Sequence, residues 1–211
     1  MMLRTLSMFL AAGALLAQAP QDPGWRDILP DASFKGWTRI AIPPDKPLDA
    51  KTQWSVQDGV LICDGAGGHE WLRWDRELGD FVLRAEWRFT KLEGEPRYNS
   101  GIFVRNGADG KLWHQAQTGL AGGWLFGNTL VNGAPGRLNL RPQMKENRVK
   151  PAGEWNLYEI RSEGRRISLA VNGEVVSEFT ECELPRGYIG FEAEGYRIEF
   201  RNVRVKELTP R

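Results

Sequence analysis

The chain has 211 residues, and its 28 lysine and arginine residues nearly balance its 27 aspartate and glutamate residues. The resulting formal net charge of +1 offers no electrostatic basis for binding nucleic acid. After the amino-terminal segment no run of residues is apolar enough for a membrane helix, so we expect no membrane span in the mature chain.

The amino terminus has the pattern of a secretory signal peptide. Arg4 supplies a basic start, and Leu6–Ala17 is an apolar segment too short to cross a bilayer. Small residues at positions 17 and 19 form a cleavage pattern. We therefore predict a signal peptide at residues 1–19, export to the periplasm or the medium, and one mature domain over residues 20–211.

Strand periodicity dominates the first half of the mature chain. Trp54–Cys63 is typical of two strands joined by a turn at Asp58-Gly59. Apolar and polar side chains then alternate along Phe81–Phe89 and again along Ser100–Arg105. Each of these patterns predicts a β-strand.

The second half continues in the same way. Arg165–Val171 and Glu174–Phe179 flank Asn172-Gly173, which favours a type I′ hairpin turn. Gly187–Phe191 and Arg197–Lys206 close the domain as two further strands. Strands of this length and spacing predict an all-β sandwich or jelly roll.

Two segments lack this periodicity. Ile42–Ala50 is rich in proline and is predicted to be a surface loop. Gly119–Pro151 contains many glycine, asparagine, proline and arginine residues, so we predict a long loop that covers a functional site.

The chain contains two cysteines, Cys63 and Cys182. In an exported protein they could form a disulfide, and two separate buried thiols are the alternative. The histidines and cysteines do not show the spacing of a structural zinc site. A divalent-cation site formed by glutamate and asparagine oxygens is an alternative that the sequence allows.

Alternation along the strands predicts a polar sheet face, since successive side chains point to opposite sides. If the apolar set faces the core, the other face carries charged, amide and aromatic side chains: Arg84, Glu86, Arg88, Asn99, Phe103, Arg105, Trp113, Gln115, Gln117, Glu192, Glu194 and Arg197. Arginine and carboxylate groups on several strands, mixed with aromatic rings, suit a hydroxyl-rich ligand. A solvated face of mixed charge is the alternative.

Two glutamates and two histidines are candidates for acid–base chemistry. Glu192 and Glu194 are two residues apart on a strand, which places their Cα atoms about 6.6 Å apart. This spacing is compatible with the paired carboxylates of glycosidases, and an exposed pair is the alternative. His114, beside Trp113, is the stronger candidate among the two histidines, and His69 lies in a turn region.

Several motifs occur in a fixed order: Gly79–Arg88, Asn99–Arg105, Lys150–Asn156, Tyr188–Glu192 and Phe200–Val203. With these motifs, the chain from about Trp25 to Leu208 resembles the 3-keto-disaccharide hydrolase family. The resemblance implies a concanavalin A-like sandwich of two antiparallel sheets with a concave ligand face.

The resemblance also implies an activity, the cleavage of glycosides whose sugar is oxidised at C3. A base removes the acidified C2 proton, the C1 group departs, and water adds back. The resemblance implies Glu86 as the base and Arg84 or Arg105 as the electrophile, with a divalent cation as an alternative electrophile. His114 is a further catalytic candidate.

The chain departs from the family pattern at two places. Many members carry Glu-x-Gln where this chain has Gln115-Ala116-Gln117, and Gln-x-His-Gly where it has Glu192–Gly195. An amide cannot serve as a base. Three hypotheses therefore stay open: an enzyme on keto-glycosides with a deep site and a desolvated carboxylate, a carbohydrate-binding module with a shallow aromatic groove, and a structural domain without a sugar site.

Overall fold

The computed structural model describes residues 23–95, 97–119 and 121–209. The predicted signal peptide lies outside these residues. No helix in the described part of the chain is both long and apolar enough to cross a membrane. The strands, in chain order, are β1 Trp25–Asp27, β2 Trp37–Ala41, β3 Trp54–Gln57, β4 Val60–Cys63, β5 Glu70–Trp74, β6 Phe81–Phe89, β7 Ser100–Asn106, β8 Trp113–Thr118, β9 Leu125–Val131, β10 Ala134–Asn139, β11 Asn156–Glu163, β12 Arg166–Val171, β13 Glu174–Phe179, β14 Tyr188–Ala193 and β15 Ile198–Glu207, and a short 3₁₀ helix spans Arg141–Gln143.

The strands form two antiparallel sheets. The eight-stranded sheet has the order β13-β12-β11-β6-β15-β4-β3, with β1 added alongside β15. The seven-stranded sheet has the order β10-β9-β8-β7-β14-β5-β2. The predicted all-β sandwich is therefore confirmed.

The core lies between the two sheets and consists of the inward side chains of their strands. In β6 the inward set runs from Phe81 to Phe89 at every second position, and each of its members is buried. Phe191 of the facing sheet packs between Trp37 and Phe200, with ring centroids 5.8 Å and 4.4 Å away. Burial of so much aromatic and aliphatic surface is the main force that holds the two sheets together.

The predicted hairpins are confirmed, and their turns have the expected backbone. Asp58 and Gly59 have φ values of 49° and 73° between β3 and β4. Asn172 and Gly173 have φ values of 49° and 97° between β12 and β13. Two consecutive residues with positive φ form a type I′ turn, whose twist matches that of the flanking strands.

The predicted long loop over Gly119–Pro151 is wrong in its central part. This segment contains β9 and β10, which pair around Asn132-Gly133 with φ values of 52° and 75°. The sequence of β9 does not alternate clearly between apolar and polar residues, because its outer face has both aromatic and polar residues and its inner face includes Gly127. By contrast, Ile42–Ala50 forms the predicted loop, without strand structure.

The two cysteines do not form the disulfide considered from the sequence. Cys63 and Cys182 are both free and buried. The Cys63 thiol donates to Gln53 Oε1 at 3.7 Å, and the Cys182 thiol donates to the carbonyl oxygen of Leu184 at 3.5 Å. Burial raises the pKa of Cys63 to about 12, so this thiol stays protonated and unreactive at neutral pH.

Candidate functional site

The polar face predicted from the sequence is divided between opposite sides of the sandwich. Arg84, Glu86 and Arg88 point outward from β6 in the eight-stranded sheet. Gln115 and Glu192 point outward from β8 and β14 in the seven-stranded sheet. Alternation reports which side of its own sheet a residue faces, but it does not report which sheet the strand joins. The prediction of one shared face is therefore wrong.

On the eight-stranded sheet, Glu86 and Arg84 are neutralised by their neighbours. Glu86 accepts hydrogen bonds from Arg201 Nε at 2.8 Å and from Asn202 Nδ2 at 2.7 Å. Arg84 Nε donates to Glu159 Oε2 at 2.7 Å. These ion pairs lie on the face opposite the pocket described below, so the assignment of Glu86 as base and Arg84 as electrophile is wrong.

Arg88 and Arg197 belong to the same outer face. Both donate to Glu199, Arg88 through Nε at 2.8 Å and Arg197 through Nη2 at 3.3 Å. Arg88 also stacks over the Trp155 ring, 4.5 Å from its centroid. The prediction that these two arginines bind substrate beside Glu192 is wrong, because the sandwich core separates them from that residue.

Arg105 is turned away from the concave face by a β-bulge. Phe103 pairs with Gly190 and Asn106 with Tyr188, so β7 has an extra residue at this point, and Arg105 adopts a φ of 49°. Its guanidinium is 0% exposed. It donates to Asp80 Oδ1 at 2.7 Å and to loop carbonyl oxygens. Arg105 thus joins loops at one end of the sandwich, and its prediction as an electrophile is wrong.

His114 lies on the core side of β8, opposite Trp113 and Gln115. Its side chain is buried, and its Nε2 lies 2.9 Å from Thr129 Oγ1. Burial lowers its pKa to about 4. It does not line the pocket, so the prediction of His114 as a catalytic residue is wrong.

The concave face of the seven-stranded sheet contains a pocket of about 440 Å³. This volume lies in the range of small-molecule sites. Aromatic, amide, imidazole and carboxylate side chains line it: His69, Trp71, Asn99, Phe103, Asn106, Trp113, Gln115, Gln117, Trp124, Phe126, Glu192 and Glu194. The predicted loop over Ile42–Ala50 contributes Ile42 and Pro44 to its rim.

Glu192 is the centre of the polar part of this pocket and is only 4% exposed. Its Oε1 lies 2.9 Å from His69 Nε2, and its Oε2 accepts a hydrogen bond from Gln115 Nε2 at 2.6 Å. Ser100 Oγ donates to the Glu192 carbonyl oxygen at 2.7 Å, which ties β7 to β14 below the carboxylate. Glu192 is therefore held rigidly, with both of its oxygens engaged.

Glu194 is the second carboxylate of the cluster and is half-buried. Its Oε2 accepts a hydrogen bond from Asn99 Nδ2 at 2.5 Å. Asn99 is oriented in turn by Gln117, whose Nε2 donates to Asn99 Oδ1 at 2.5 Å and to the Thr118 carbonyl oxygen at 2.9 Å. Among the described residues, Glu194 Oε1 has no hydrogen-bond partner, so Glu194 is less constrained than Glu192.

The electrostatics of the cluster raise two pKa values. Burial and the negative charge of Glu192 raise the pKa of Glu194, against the opposing effects of His69 and Asn99. Burial alone would lower the pKa of His69, but the hydrogen bond and charge of Glu192, with the charge of Glu194, outweigh it and raise that pKa. The pocket therefore favours an imidazolium next to a carboxylate that holds its proton more tightly than usual.

The same three residues have the donor set of a divalent-cation site. One ligand atom from each of His69, Glu192 and Glu194 lies within 4.8 Å of the others. An imidazole nitrogen with two carboxylate oxygens suits a divalent transition metal or zinc. A cation held there would act as a Lewis acid on a ligand oxygen.

Two glycines make this arrangement sterically possible. A Cβ atom at Gly101 would lie 1.9 Å from Gln115 Nε2, so only glycine lets Gln115 cross β7 and reach Glu192. A Cβ atom at Gly190 would lie 2.3 Å from Trp71 Cε3, so this glycine lets the indole lie across β14. Both are close approaches that any larger residue would block.

Aromatic rings form the rest of the pocket. Trp71 contacts Phe103 edge-on at 5.5 Å, Phe103 contacts Trp113 at 5.9 Å, and Trp113 contacts Phe126 at 5.2 Å. Trp124 lies 6.2 Å from Phe126 at the far end. The edge-to-face contacts fix the ring orientations and leave flat apolar surfaces for a ligand.

The structure brings together six of the residues predicted as substrate-binding: Asn99, Trp113, Gln115, Gln117, Glu192 and Glu194. The pocket also contains His69, Trp71, Trp124 and Phe126. His69 was the weaker of the two histidine candidates in the sequence because it follows a glycine-rich turn. The position of His69 directly before Glu70, the first residue of β5, was the sequence feature that could have identified it as a site residue. Trp71 and Trp124 could not be assigned to the site from the sequence, because the position of their segments in the sheet depends on pairing with distant strands.

Comparison with solved structures supports the fold. A candidate glycosyl hydrolase from Parabacteroides distasonis superposes with a TM-score of 0.62 at 19% identity, covering 88% of this chain and 94% of that one. Carbohydrate-binding module CBM66 from Bacillus subtilis gives 0.59 at 16% identity, covering 82% and 96%. A Bacillus licheniformis β-glucanase gives 0.52 at 14% identity, covering 90% and 94%.

A search of curated proteins found no match to this sequence. The family model for the 3-keto-alpha-glucoside-1,2-lyase-like domain matches residues 24–206, almost all of the described chain. It is the 3-keto-disaccharide hydrolase domain expected from the ordered motifs, and the solved neighbours share its sandwich. The chain therefore belongs to the 3-keto-alpha-glucoside-1,2-lyase-like family.

Proposed function

We propose that this protein is an exported enzyme that cleaves 3-keto-glycosides by removing the C2 proton and releasing the C1 group. The family match supports a role in carbohydrate chemistry. The observation that carries the proposal is the position of Glu194, half-buried in the pocket, with its pKa raised by burial and by Glu192. A carboxylate in this setting is a stronger base than one in water.

Glu194 is the base in the proposed reaction. It takes the proton from C2, which the adjacent C3 ketone has acidified, and the electron pair of the C2–H bond forms an enolate. The enolate then expels the C1 oxygen, which forms a C1–C2 double bond and restores the ketone. The leaving oxygen takes up a proton, and water adds across the double bond to give the free keto-sugar.

His69 stabilises the negative charge that develops on the C3 oxygen. Its raised pKa favours the imidazolium form, and the hydrogen bond to Glu192 fixes the ring in place. A preorganised positive charge next to a developing oxyanion is the arrangement that lowers such a barrier most. Glu192 is a positioning residue in this scheme, since both of its oxygens are already bonded.

A carbohydrate-binding module is the second candidate function. The aromatic lining of the pocket and the structural likeness to CBM66 favour it. A binding groove does not require a buried carboxylate, and burial of an ionised group is costly unless the group is paired and hydrogen-bonded. The Glu192–Glu194 pair therefore supports the enzyme more than the module.

The test is incubation of the purified protein with the two anomers of 4-nitrophenyl 3-keto-glucoside. Nitrophenolate release is followed with EDTA and, separately, with added Mn²⁺ or Zn²⁺. We expect turnover that the Glu194→Gln variant loses. Tight binding of the substrate without turnover in every condition would reject the enzyme and support the binding module.

A further inference from the structure

The aromatic wall of the pocket ends at two arginines that no role proposed above requires. The Arg137 guanidinium lies over the Trp113 and Phe126 rings, 5.0 Å and 5.6 Å from their centroids. The Arg141 guanidinium lies 5.0 Å from the centroid of the Trp124 ring. Both arginines are exposed and belong to β10 and the short helix that follows it.

These two arginines differ from the other stacked arginines of the described chain. Seven arginines stack on aromatic rings, and five of them also bond a carboxylate: Arg73, Arg76, Arg84, Arg88 and Arg201. Within residues 23–95, 97–119 and 121–209, Arg137 and Arg141 have no carboxylate partner. A stacked guanidinium keeps its edge donors available, which suits a planar anion.

Arg137 also lies between the pocket and a second depression of about 540 Å³ on the same face. Trp113 pairs with Asn128 and Asn128 with Arg137, so the Cα atoms of Arg137 and Trp113 are about 10 Å apart, two strand spacings, and the long Arg137 side chain reaches back to the indole ring. In that depression Lys111 Nζ lies 3.6 Å from Asp109, which leaves Arg137 as its unneutralised cation. Asn128 Oδ1 accepts a hydrogen bond from Arg137 Nη1 at 2.9 Å and holds the guanidinium in position.

We propose that Arg137 and Arg141 bind a carboxylate on the substrate, so that the enzyme acts on acidic 3-keto-glycosides. The inference rests on the proposed function for the sugar that occupies the His69–Glu194 cluster. That cluster includes β14, and Trp113, under the Arg137 guanidinium, is on β8, two strands away. A group attached to the reacting sugar therefore reaches Arg137 when it lies over the aromatic wall. The carboxylate belongs to the group attached to the reacting sugar.

Calorimetric binding of two unoxidised glycosides, phenyl glucoside and 4-carboxyphenyl glucoside, tests the proposal without turnover. We expect the carboxylate to bind about tenfold more tightly at low salt and to lose most of this preference as the salt concentration rises. The double variant Arg137→Gln, Arg141→Gln should reduce the preference to within about twofold and leave phenyl glucoside binding unchanged. Arg26→Gln is the matched control, since Arg26 lies on β1 of the other sheet and also has no carboxylate partner among the described residues.

Equal affinity for the two glycosides, no binding of the carboxylate, or a preference that survives in the double variant would overturn the proposal. Failure of the proposed function gives a different result. In that case the wild-type protein prefers the carboxylate, and the preference requires both arginines, but no 3-keto-glucoside is cleaved.

Discussion

His69 Nε2 lies 2.9 Å from Glu192 Oε1, although 123 residues separate the two in the chain. The contact exists because β5 and β14 are neighbours, with Glu70 paired to Ala193. His69 immediately precedes β5, so its ring reaches over the end of β14. This contact ties the imidazole to the pocket and, with Glu194, produces the charge pattern on which the proposed reaction depends.

Replacement of the proposed base should abolish turnover without loss of the fold. In Glu194→Gln the amide cannot accept the C2 proton, so we expect kcat to fall by about 10²- to 10⁴-fold while KM changes little. Steady-state kinetics with the keto-glucoside, together with a thermal melt, measures both effects. A kcat within a few fold of the wild-type value would remove Glu194 from the mechanism.

The matched control is Glu86→Gln on the opposite sheet. Glu86 is bonded to Arg201 and Asn202 and does not contact the pocket. We expect kcat/KM to stay within about twofold of wild type and the free energy of unfolding to fall by less than about 1 kcal/mol, as for other partly exposed ion pairs. A large loss of activity in this variant would contradict the division of the polar residues between the two faces.

The pH profile of kcat/KM should be bell-shaped. Activity rises as the pH increases through the pKa of Glu194, which burial and Glu192 raise above the ordinary carboxyl value, because the base must lose its proton. Activity falls as the pH increases through the pKa of His69, which Glu192 raises above the ordinary imidazole value, because the imidazolium is lost. In His69→Asn the alkaline limb should disappear, and a limb that persists would assign it to another group.

Gly101→Ala should damage the site through Gln115. The new Cβ atom would lie 1.9 Å from Gln115 Nε2 and push that side chain off Glu192. We expect Gly101→Ala and Gln115→Ala each to lower kcat/KM by about tenfold, the effect of one misplaced positioning contact. The double variant should be no worse than either single variant. Additive losses would show that Gly101 acts independently of Gln115.

The buried His114 should make the protein less stable in acid. Its pKa is about 4 in the folded state, below the ordinary value of 6.5, so between these values the unfolded chain binds a proton that the native protein does not. The free energy of unfolding should therefore fall by about 3 kcal/mol as the pH drops from 7 to 4. Urea unfolding of wild type and His114→Asn at several pH values tests this.

In those measurements, the difference between wild type and His114→Asn should shrink as the pH falls. His69→Asn is the control, and it should keep the loss of stability in acid. A constant difference between wild type and His114→Asn across this range would mean that His114 is protonated in the native protein.

Much of the strand pattern was predictable from local chemistry. Alternation along Phe81–Phe89 and the turn at Asn172-Gly173 predict their elements because period-2 side-chain placement and positive φ are properties of a few neighbouring residues. The concave-face members Gln115 and Glu192 could be selected in the same way. Arg105 could not, because the bulge that turns it inward depends on its pairing with β14.

The sequence by itself determined the all-β sandwich, most of its strands and turns, and the ordered motifs of the family. Only the tertiary structure decided that β6 lies between β11 and β15 in one sheet while β7 and β14 belong to the other. This assignment of strands to sheets places Glu86 away from the pocket and His69 next to Glu192. The physical reason is that the choice of sheet depends on pairing between strands far apart in the chain, which no local period can encode.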